Sequence, residues 1–500
     1  MSQKILSAAQ LKYIDAYTIE HEPISSIELM EHAATVCFEA FLPYIDFSNP
    51  VHVFCGSGNN GGDGFVIARF LSLMHSNVQV WFVPFGEISP ECHANKALVP
   101  AYTELTSIQF LPEIGEHCTI IDALLGLGTT RSPEGLLKEV IERMNESGAP
   151  VLSVDLPSGL PADEIPEWDT LVKASFTVTF QQPKLTFFLK ETIPFVGKWE
   201  CVDIGLDQAE IERTKSRYFH LDASSIEQLI KPRDRFSHKG TYGHGLLIAG
   251  SKGKMGSAVL AAKAALRSGI GLLTVHLPEI GLNVLQTAVP EAMCSIDQES
   301  DRVSMIHEDV NTFSAIGIGP GIGTHEDALL LMEKVLQFPT VVIDADGLNL
   351  LAKHPTLLEQ LPKNTILTPH PKEFERLAGS SVSTSDRLDR LMHFAQTYQC
   401  TVILKDAITA IATKDGMVYF NTTGNPGMAT GGTGDVLTGI ILGLLAQGYS
   451  VEVAAKIAVY YHGKAGDTVA TERGQMALIA GDLIDTLMIG LETSDSDIIV

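Results

Sequence analysis

Short apolar runs, each of a length suited to one buried strand, alternate with helical patterns along most of the chain. In the first part of the chain these runs begin at Val51, Asn77, Cys118, Val151 and Phe176. Runs that are apolar at consecutive positions are typical of parallel sheets that helices cover on both faces. The first part of the chain is therefore predicted to form a doubly wound α/β domain.

The alternation is interrupted once and then starts again. Residues 207–234 are rich in charged, helix-prone side chains and contain no run suited to a buried strand. We place the domain boundary near Arg217, which predicts domains at 1–217 and 218–500. The second domain is also predicted to be α/β, and the pair Asp415-Gly416 between two alternating runs predicts an antiparallel hairpin near the end of its sheet. No fixed-period repeat relates the domains, which favours a fusion of two unlike folds.

Composition excludes several classes of function. The chain has 35 Lys and Arg against 60 Asp and Glu, a net charge of −25, which opposes nonspecific binding to nucleic acid or to anionic lipid. Seven cysteines without C-x-x-C spacing argue for a reducing compartment and against disulfides or a structural zinc site. No secretory signal is visible, and the longest apolar stretch, from Val436, is shorter than the roughly 18 residues of a membrane helix. We expect a soluble, cytoplasmic protein. Because its net charge is negative, any phosphate must be bound by groups at a local site.

The first motif that can carry chemistry is CGSGNNGGDGFVIARFL, from Cys55. It predicts a strand, a glycine-rich turn and a helix, and free amides at a helix start bind phosphate. Gly56-x-Gly58-x-x-Gly61 formally satisfies the dinucleotide fingerprint, but no acidic residue follows the next strand, and Asp63 breaks the Walker pattern. The alternative is a tight turn whose glycines serve packing alone. We favour a ligand loop.

Two acids end predicted strands of the same domain, Asp122 in IIDALLGLGTTRS and Asp155 in VDLPSGL. Ligands of open parallel sheets lie beyond the carboxyl ends of the strands, so both acids should lie near the first loop. With Asn60 and Ser158 they suit a cation site built from oxygen atoms, or one of them suits a general base. Simple capping of the next turn is the alternative. Arg131 adds a guanidinium suited to phosphate.

The strongest motif is NTTGNPGMATGGTGDVLTGIILGLL, from Asn421. The apolar residues after Asp435 repeat at helical spacing, so residues 431–435 lead into a helix. The amides of Gly432, Thr433 and Gly434 then suit a developing phosphate charge, and Asp435 suits the removal of a hydroxyl proton. The alternative is an acid that only complements the helix dipole.

Further segments of the second domain are expected at the same site. They are HKGTYGHG from His238, AGSKGKMGSA from Ala249, GIGPGIG from Gly317, DADGLNLL from Asp344 and TPHPKEF from Thr368. In the last of these, Pro371 is placed where a helix can begin, with His370 just outside it. The residue pattern leaves both a structural and a catalytic role open for His370.

These motifs resemble those of the bifunctional NAD(P)H-hydrate repair enzymes, in which an NAD(P)HX epimerase is fused to an ADP-dependent (S)-NAD(P)H-hydrate dehydratase. GNNGGDG, DALLGLGT and VDLPSG resemble the epimerase motifs, and HKGTYG, DADGLNLL, TPHPKEF and GNPGMATGGTGD resemble the dehydratase motifs. The resemblance covers nearly the whole chain. It implies a Rossmann-like doubly wound N-terminal domain and a ribokinase-like C-terminal α/β domain.

The resemblance also implies site residues. The implied catalytic residues are Asp155 and Asp435, and the implied potassium ligands are Asn60, Asp122 and Ser158. The implied substrate contacts are Asn60, Gly61, Gly62, Asp63, Gly64, Gly126, Leu127, Gly128, Thr129, Thr130, Arg131, Ser132, Ala258, Gly321 and His370. The implied nucleotide contacts are Lys405, Asp406, Ala407, Ile408, Thr409 and Gly434. Asp406 departs from the family, which usually has a small, glycine-type residue there.

The implied reaction is phosphorylation of the hydrate's C6 hydroxyl by ADP, assisted by Mg²⁺, followed by loss of phosphate to restore NAD(P)H. K⁺ is implied for the epimerase domain, and the expected partners are NADHX, NADPHX, ADP and further copies of the chain, with neither nucleic acid nor membrane. Two other hypotheses stay open. GGTGD alone also suits a small-molecule kinase of ribokinase type with an N-terminal binding module, and the first domain also suits a noncatalytic interaction module.

Overall fold

The computed structural model describes residues 2–75, 77–306 and 308–490. The chain separates into two compact units. The first comprises Lys4–Tyr218, and the second comprises the chain from Phe219 onward together with the residues that precede Lys4.

The first part of the chain is a mixture of strands and helices. Its strands are β1 (Gln3–Ile5), β2 (Val51–Cys55), β3 (Val78–Phe82), β4 (Thr103–Glu104), β5 (Thr119–Ala123), β6 (Val151–Val154), β7 (Phe176–Phe180) and β8 (Lys198–Val202). Its helices are α1 (Ala8–His21), α2 (Ser26–Phe41), α3 (Asn59–Met74), α4 (Pro90–Lys96), α5 (Gly135–Glu146), α6 (Ile193–Val196) and α7 (Gln208–Arg213).

One sheet of seven parallel strands forms the centre of this unit, in the order β4-β3-β2-β5-β6-β7-β8. The order reverses between β2 and β5, where the chain starts to add strands on the other side, so the doubly wound fold predicted from the apolar runs is confirmed. Strands β2, β5 and β6 are buried along their whole length. In such sheets the crevice beyond the reversal point is where ligands bind.

The second unit has a larger sheet. Its strands are β9 (Tyr218–His220), β10 (His244–Ile248), β11 (Leu272–Leu277), β12 (Met293–Ile296), β13 (Ala315–Ile318), β14 (Thr340–Ile343), β15 (Asn364–Leu367), β16 (Thr401–Leu404), β17 (Thr409–Ala412) and β18 (Val418–Asn421). Their order is β9-β18-β17-β16-β15-β14-β13-β10-β11-β12. Strands from β12 to β16 pair in parallel, whereas β16, β17 and β18 pair antiparallel. The hairpin predicted at Asp415-Gly416 is confirmed, and Gly416 supplies its positive φ of 77°.

Helices cover this sheet and position the site. They are α8 (Ala223–Glu227), α9 (Met255–Arg267), α10 (Leu282–Ala288), α11 (Glu326–Val335), α12 (Asp346–Lys353), α13 (Pro371–Ala378), α14 (Thr384–Thr397), α15 (Thr433–Ala446), α16 (Val451–Arg473) and α17 (Ala480–Asp485). Helix α15 is buried from Val436 to its end. A side chain at Gly439 or Gly443 would overlap the backbone of α9, so these glycines let the two helices lie close together. None of the helices in the described ranges has both the length and the apolar content that crossing a bilayer requires.

Candidate functional site

The glycine-rich loop of the first unit leads from β2 into α3. Gly61 faces the backbone of Gly56, Gly62 faces Met30, and Gly64 faces Ala123, so a side chain at any of them would overlap a neighbour. These three glycines, which the resemblance assigns to substrate, are buried by packing and do not line the cavity described next. The room they provide is used by protein atoms, and their contact with substrate stays a prediction.

A cavity of about 420 Å³ opens beyond the carboxyl ends of the central strands. The three loops predicted to converge do so there, and its lining includes Lys12, Asp15, Met30, Gly58, Asn59, Asn60, Asp63, Phe85, Leu125, Gly126, Leu127, Gly128, Asp155 and Phe180. Both apolar side chains and acids therefore face one space. The first glycine-rich loop contributes its polar side chains to it, while most of its glycines serve packing.

The expected contribution of residues 129–132 is not found in this lining. Thr129 turns back, and both its amide and its hydroxyl donate to the Gly126 carbonyl, at 3.1 and 3.0 Å. Thr130 and Arg131 are exposed, and Ser132 lies outside the lining as well. Thr129 thus closes a turn just before the exposed Arg131, and contact of residues 129–132 with substrate or phosphate stays a prediction.

Asp122 is fully buried at the end of β5, and hydrogen bonds surround its carboxylate. Its oxygens accept from the Ser158 hydroxyl at 2.5 Å, the Ser158 amide at 2.8 Å, the Ser153 hydroxyl at 2.9 Å and the Leu124 amide at 3.3 Å. Burial raises the pKa of Asp122, and the hydrogen bonds from Ser158 oppose that rise. Ser153 is a partner that the sequence reasoning missed.

The predicted cation ligands meet around one main-chain carbonyl. The Leu125 oxygen accepts from the Asn60 amide at 2.8 Å and from the Ser158 hydroxyl at 3.3 Å. The set thus offers one carboxylate with hydroxyl, amide and carbonyl oxygens, whereas a tight divalent site usually gathers several carboxylates. No cluster of three His, Cys, Asp or Glu suited to a metal occurs in the described ranges. The donors present fit a weakly charged, monovalent cation.

Asp155 follows β6 in a left-handed conformation, with φ of 62°, and forms a buried ion pair. The Lys184 ammonium donates to its Oδ1 at 2.6 Å, and the Thr179 hydroxyl and Phe180 amide donate to the same oxygen at 3.2 and 3.1 Å. Lys184 is completely buried and is also bonded to Thr179 Oγ1 at 2.8 Å. A lone lysine four residues after the end of the buried strand FTVTF is the sequence signal for this partner, and it was missed.

Asp63 also lies on this cavity, in α3, and is buried. Burial raises its pKa well above the ordinary value, and the nearby acids Asp155 and Asp15 raise it further. Asp15 itself has a raised pKa, chiefly through burial and secondly through Glu91. The cavity therefore combines a carboxyl whose pKa burial raises with a second carboxyl that is bonded to an ammonium.

The second unit brings the predicted glycine-rich turn and Asp435 to the carboxyl edge of its sheet. Gly432 precedes α15 with φ of 94°, a left-handed conformation suited to glycine, and no side chain caps the helix. The first amides of α15 are therefore available to a ligand, with the positive end of the helix dipole behind them. Asp435 lies in that first turn, as predicted.

Asp435 is surrounded by groups that shift its pKa. Its pKa is raised to about 6, mainly by burial, while a hydrogen bond with Ser257 lowers it and Asp344 raises it. Lys405 lowers the pKa further, and Asp346 raises it. A carboxyl with this pKa loses its proton readily near neutral pH and retains enough basicity to accept one from a hydroxyl.

Asp344 accepts hydrogen bonds from three side chains of this site. Its carboxylate accepts from the Lys405 ammonium and the Thr438 hydroxyl, both at 2.8 Å, and from the Thr368 hydroxyl at 2.7 Å. A side chain on Gly434 would come within 3.3 Å of the Lys405 ammonium, so this cation lies beside the first turn of α15. Ser257 and Thr438 are residues that the sequence reasoning missed.

Two further predicted loops reach the same edge. Asp346, the first residue of α12, accepts from the Gly323 amide at 2.8 Å and pairs with Lys254 at 3.3 Å. Gly321 has φ of 67°, and its carbonyl accepts from the Ser251 hydroxyl at 2.6 Å. The segments that begin at Ala249, Gly317 and Asp344 thus come together, as predicted.

The other predicted residues have more local roles. Ala258 lies inside α9 and is fully buried, main chain included, so its contact with substrate stays a prediction. His370 caps α13, with its Nδ1 accepting from the Lys372 and Glu373 amides at 3.2 and 3.4 Å, and Pro371 begins that helix as predicted. Residues 405–408 connect β16 to Thr409, the first residue of β17, and the Asp406 carboxylate pairs with Arg387 at 3.2 Å. Arg387 was also missed.

HKGTYG does not reach this site. Gly243 directly precedes β10, at the amino edge of the sheet, and a side chain there would overlap the carbonyl of Ala446, the last residue of α15. Asp435 is in the first turn of α15, so the two motifs lie at opposite ends of a helix that rises about 1.5 Å per residue. The expectation of a shared site is wrong, because a segment before a strand lies at the other edge of the sheet from segments that follow strands.

Comparisons with known proteins match both units. Residues 245–488 match the family described as NAD(P)H-hydrate dehydratase, and residues 26–186 match the family described as YjeF-related protein N-terminus. The bifunctional NAD(P)H-hydrate repair enzyme Nnr of Moorella thermoacetica is 35% identical over 522 residues, which cover 99% of this chain and 98% of that protein. The protein of the same name from Coxiella burnetii is 34% identical over 491 residues, covering 96% and 98%. A crystal structure of the ADP/ATP-dependent NAD(P)H-hydrate dehydratase of Bacillus subtilis, co-crystallised with ATP and Mg²⁺, is 35% identical, with a TM-score of 0.47 over 53% of this chain and 94% of that one.

Proposed function

The chain belongs to the family of bifunctional NAD(P)H-hydrate repair enzymes, and from that membership we propose that it performs both repair steps, one in each unit. In this proposal residues 1–217 interconvert the R and S epimers of the hydrated cofactor. Residues 218–500 dehydrate the S epimer at the expense of ADP and release AMP and phosphate. The two steps belong together, because a dehydratase that accepts one epimer clears a mixture only if the other epimer is converted.

One observation carries the dehydratase assignment: Asp435, with a pKa of about 6, lies in the first turn of a helix whose amides have no side-chain cap. Asp435 takes the proton from the hydrate's hydroxyl as that oxygen attacks the terminal phosphorus of ADP. The amides of Thr433 and Gly434 stabilise the charge that develops on the transferred phosphoryl group. Phosphate then leaves from carbon far more readily than hydroxide does. The neighbouring ring carbon loses a proton to solvent, and the electron pair of that carbon–hydrogen bond forms the ring double bond.

The charges around Asp435 suit a nucleotide. Lys405 places an ammonium beside Gly434, and its bond to Asp344 holds it there. Asp346 has one carboxylate oxygen, Oδ1, without a partner among the described residues, since Lys254 and Gly323 both contact Oδ2. Mg²⁺ is commonly held by substrate phosphates with one or two carboxylates, so Asp346 is the residue we assign to it. When bound, the ion offsets the charge of the nucleotide in a strongly acidic protein.

The nucleotide is proposed to lie along residues 405–409. The carboxylate of Asp406 would repel its phosphates, and the ion pair with Arg387 offsets that charge. His370 and Gly321 are proposed to contact the hydrated cofactor. In the first unit, Asn60, Asp122 and Ser158 are proposed to hold K⁺, which supplies positive charge beside a buried carboxylate.

The cell location is proposed from cysteine chemistry. All seven cysteines are free thiols, and five of them are buried. Free thiols persist in a reducing compartment, which favours the cytoplasm. Assembly into a homo-oligomer stays a prediction, and sedimentation of the purified protein tests it.

The test is to incubate the protein with mixed R and S hydrates and ADP. We expect both epimers to disappear, with NAD(P)H, AMP and phosphate formed in equal amounts. Without ADP, the epimers should interconvert and no NAD(P)H should form. A stable phosphorylated product without NAD(P)H would instead indicate a kinase, and survival of the R epimer alone would indicate that the first unit is a binding module.

A further inference from the structure

Two carboxyl groups in the cavity of the first unit differ in their partners. The Asp155 carboxylate accepts hydrogen bonds from Lys184, Thr179 and the Phe180 amide. Asp63 lines the same cavity and is 7% exposed. In the described part of the chain no residue donates a hydrogen bond to the Asp63 side chain or forms an ion pair with it. A buried carboxyl without a partner costs free energy, so its retention beside a cavity points to a ligand.

We propose that Asp63 is the proton donor of the epimerisation and that Asp155 is its paired acceptor, because the unpaired and the ion-paired carboxyl face one cavity. This inference rests on the proposed epimerase function of the first unit. It assigns Asp63 a part in the chemistry, beyond the substrate contact that the sequence motif implies.

Burial and the negative charges around Asp63 raise its pKa and so favour its protonated form. The titratable groups that interact with it come from several neighbouring elements: Asp15 from α1, Cys37 from α2, Cys92 from α4 and Asp155 after β6. These groups are neutral or negative. The buried ammonium of Lys184 is bonded to Asp155 rather than to Asp63, and Lys12, which lines the same cavity, forms no ion pair with Asp63 in the described ranges. Pairs of carboxyls whose surroundings differ in this way divide into an acid and a base.

The chemistry follows from the structure of the hydrate, whose hydroxyl is on the ring carbon bonded to the ring nitrogen. Asp63 gives its proton to the hydroxyl oxygen. The carbon–oxygen bond then breaks, and the departing water molecule takes the electron pair of that bond. The lone pair of the ring nitrogen forms a C=N bond. Water then adds to the other face of that carbon, the C=N electrons return to nitrogen, and Asp155 takes the proton that the added water loses. Exchange with solvent restores both carboxyls before the next turnover.

The direct test replaces Asp63 in the full-length protein. Asp63→Asn keeps the shape and removes the acidic proton, so we expect kcat for R-to-S conversion to fall about 100-fold or more while KM changes less than about threefold. An acid must be protonated to act, so wild-type kcat should decline as pH rises through the Asp63 pKa, and this alkaline limb should be absent in Asp63→Asn. Asp63→Glu, which retains an acid, should restore part of the rate and the limb.

The second unit supplies an internal control. Asp63→Asn should dehydrate the S epimer with ADP at the wild-type rate, so that a mixed hydrate sample loses only its S half. Asp63→Asn that keeps more than a third of the wild-type epimerisation kcat, or keeps the alkaline limb, would overturn the proposal. If Asp63→Asn loses the thermal transition of the first unit, the pH dependence of wild-type epimerisation is the test instead. A wild-type kcat that stays flat at alkaline pH would then overturn the proposal. A wild-type protein without epimerase activity would instead refute the proposed function itself.

Discussion

Asp435→Asn is predicted to make the second unit more stable while nearly abolishing its activity. In the folded protein the Asp435 pKa is raised from 3.8 to about 6, so the protonated form is favoured. The contribution of Asp435 to the free energy of unfolding is then fully present below its unfolded pKa of 3.8 and is lost as pH rises through about 6. The shift corresponds to about 3 kcal/mol, and partial exposure of the side chain reduces this to roughly 1–3 kcal/mol.

The amide that replaces the Asp435 carboxyl carries no charge at any pH. The variant therefore does not bury a carboxylate at alkaline pH, whereas the wild-type protein does. At pH 8 we expect its free energy of unfolding to exceed that of wild type by roughly 1–3 kcal/mol and its Tm to rise by a few degrees, with no difference near pH 4. Dehydration of the S hydrate should fall about 100-fold or more, as expected when a general base is removed. Epimerisation should be unchanged.

Thermal unfolding at the two pH values, followed by an ADP-dependent assay of NAD(P)H formation, measures both effects. Asp415→Asn is the matched control, because Asp415 is exposed in the β17–β18 turn and Asn-Gly suits that turn equally well. It should change neither quantity. The reasoning is refuted if Asp435→Asn is less stable than wild type at pH 8, or if it dehydrates at the full rate.

Four further predictions concern the two sites. Wild-type dehydratase kcat should rise with pH through about 6 and then level off, because Asp435 acts as a carboxylate, and a profile that is flat from pH 5 to 8 would contradict this. Lys184→Met should destabilise the first unit by about 3–5 kcal/mol in denaturant unfolding, because Asp155 is left buried without its cation, and an unchanged midpoint would contradict it. Replacing K⁺ with a bulky organic cation should slow wild-type epimerisation but leave Asp122→Asn unaffected, since that variant lacks the carboxylate. Arg387→Gln should raise KM for ADP several-fold and Asp406→Asn should lower it, whereas equal values in both variants would show that this ion pair does not face the nucleotide.

The fold was predictable because its main signals are local. Consecutive apolar residues at Val51, Cys118 and Val151 indicate strands buried on both faces, and they form the centre of a parallel sheet. The turn at Asp415-Gly416 is specified by two residues. The convergence of the first glycine-rich loop with Asp122 and Asp155 was also predictable, because the carboxyl ends of parallel strands meet at one edge.

The partners of the site residues were not predictable in the same way, because they depend on tertiary contacts. Lys184 is separated from Asp155 by a strand and a turn, and only the fold shows that its ammonium lies 2.6 Å from that carboxylate. Arg131 follows a turn whose direction depends on the hydrogen bonds of Thr129. The glycines at 61, 62 and 64 illustrate a second limit, since glycine is required both where a ligand approaches and where backbones pack, and sequence does not separate the two.

The central claim is that the helix start at residues 432–435 transfers a phosphoryl group from ADP to the hydrate. Single-turnover incubation of pure S hydrate with terminally ³²P-labelled ADP measures this most directly. We predict a transient labelled hydrate phosphate that precedes labelled inorganic phosphate and NAD(P)H, and its absence in Asp435→Asn. Formation of NAD(P)H by the wild-type protein without any labelled phosphate would contradict the claim.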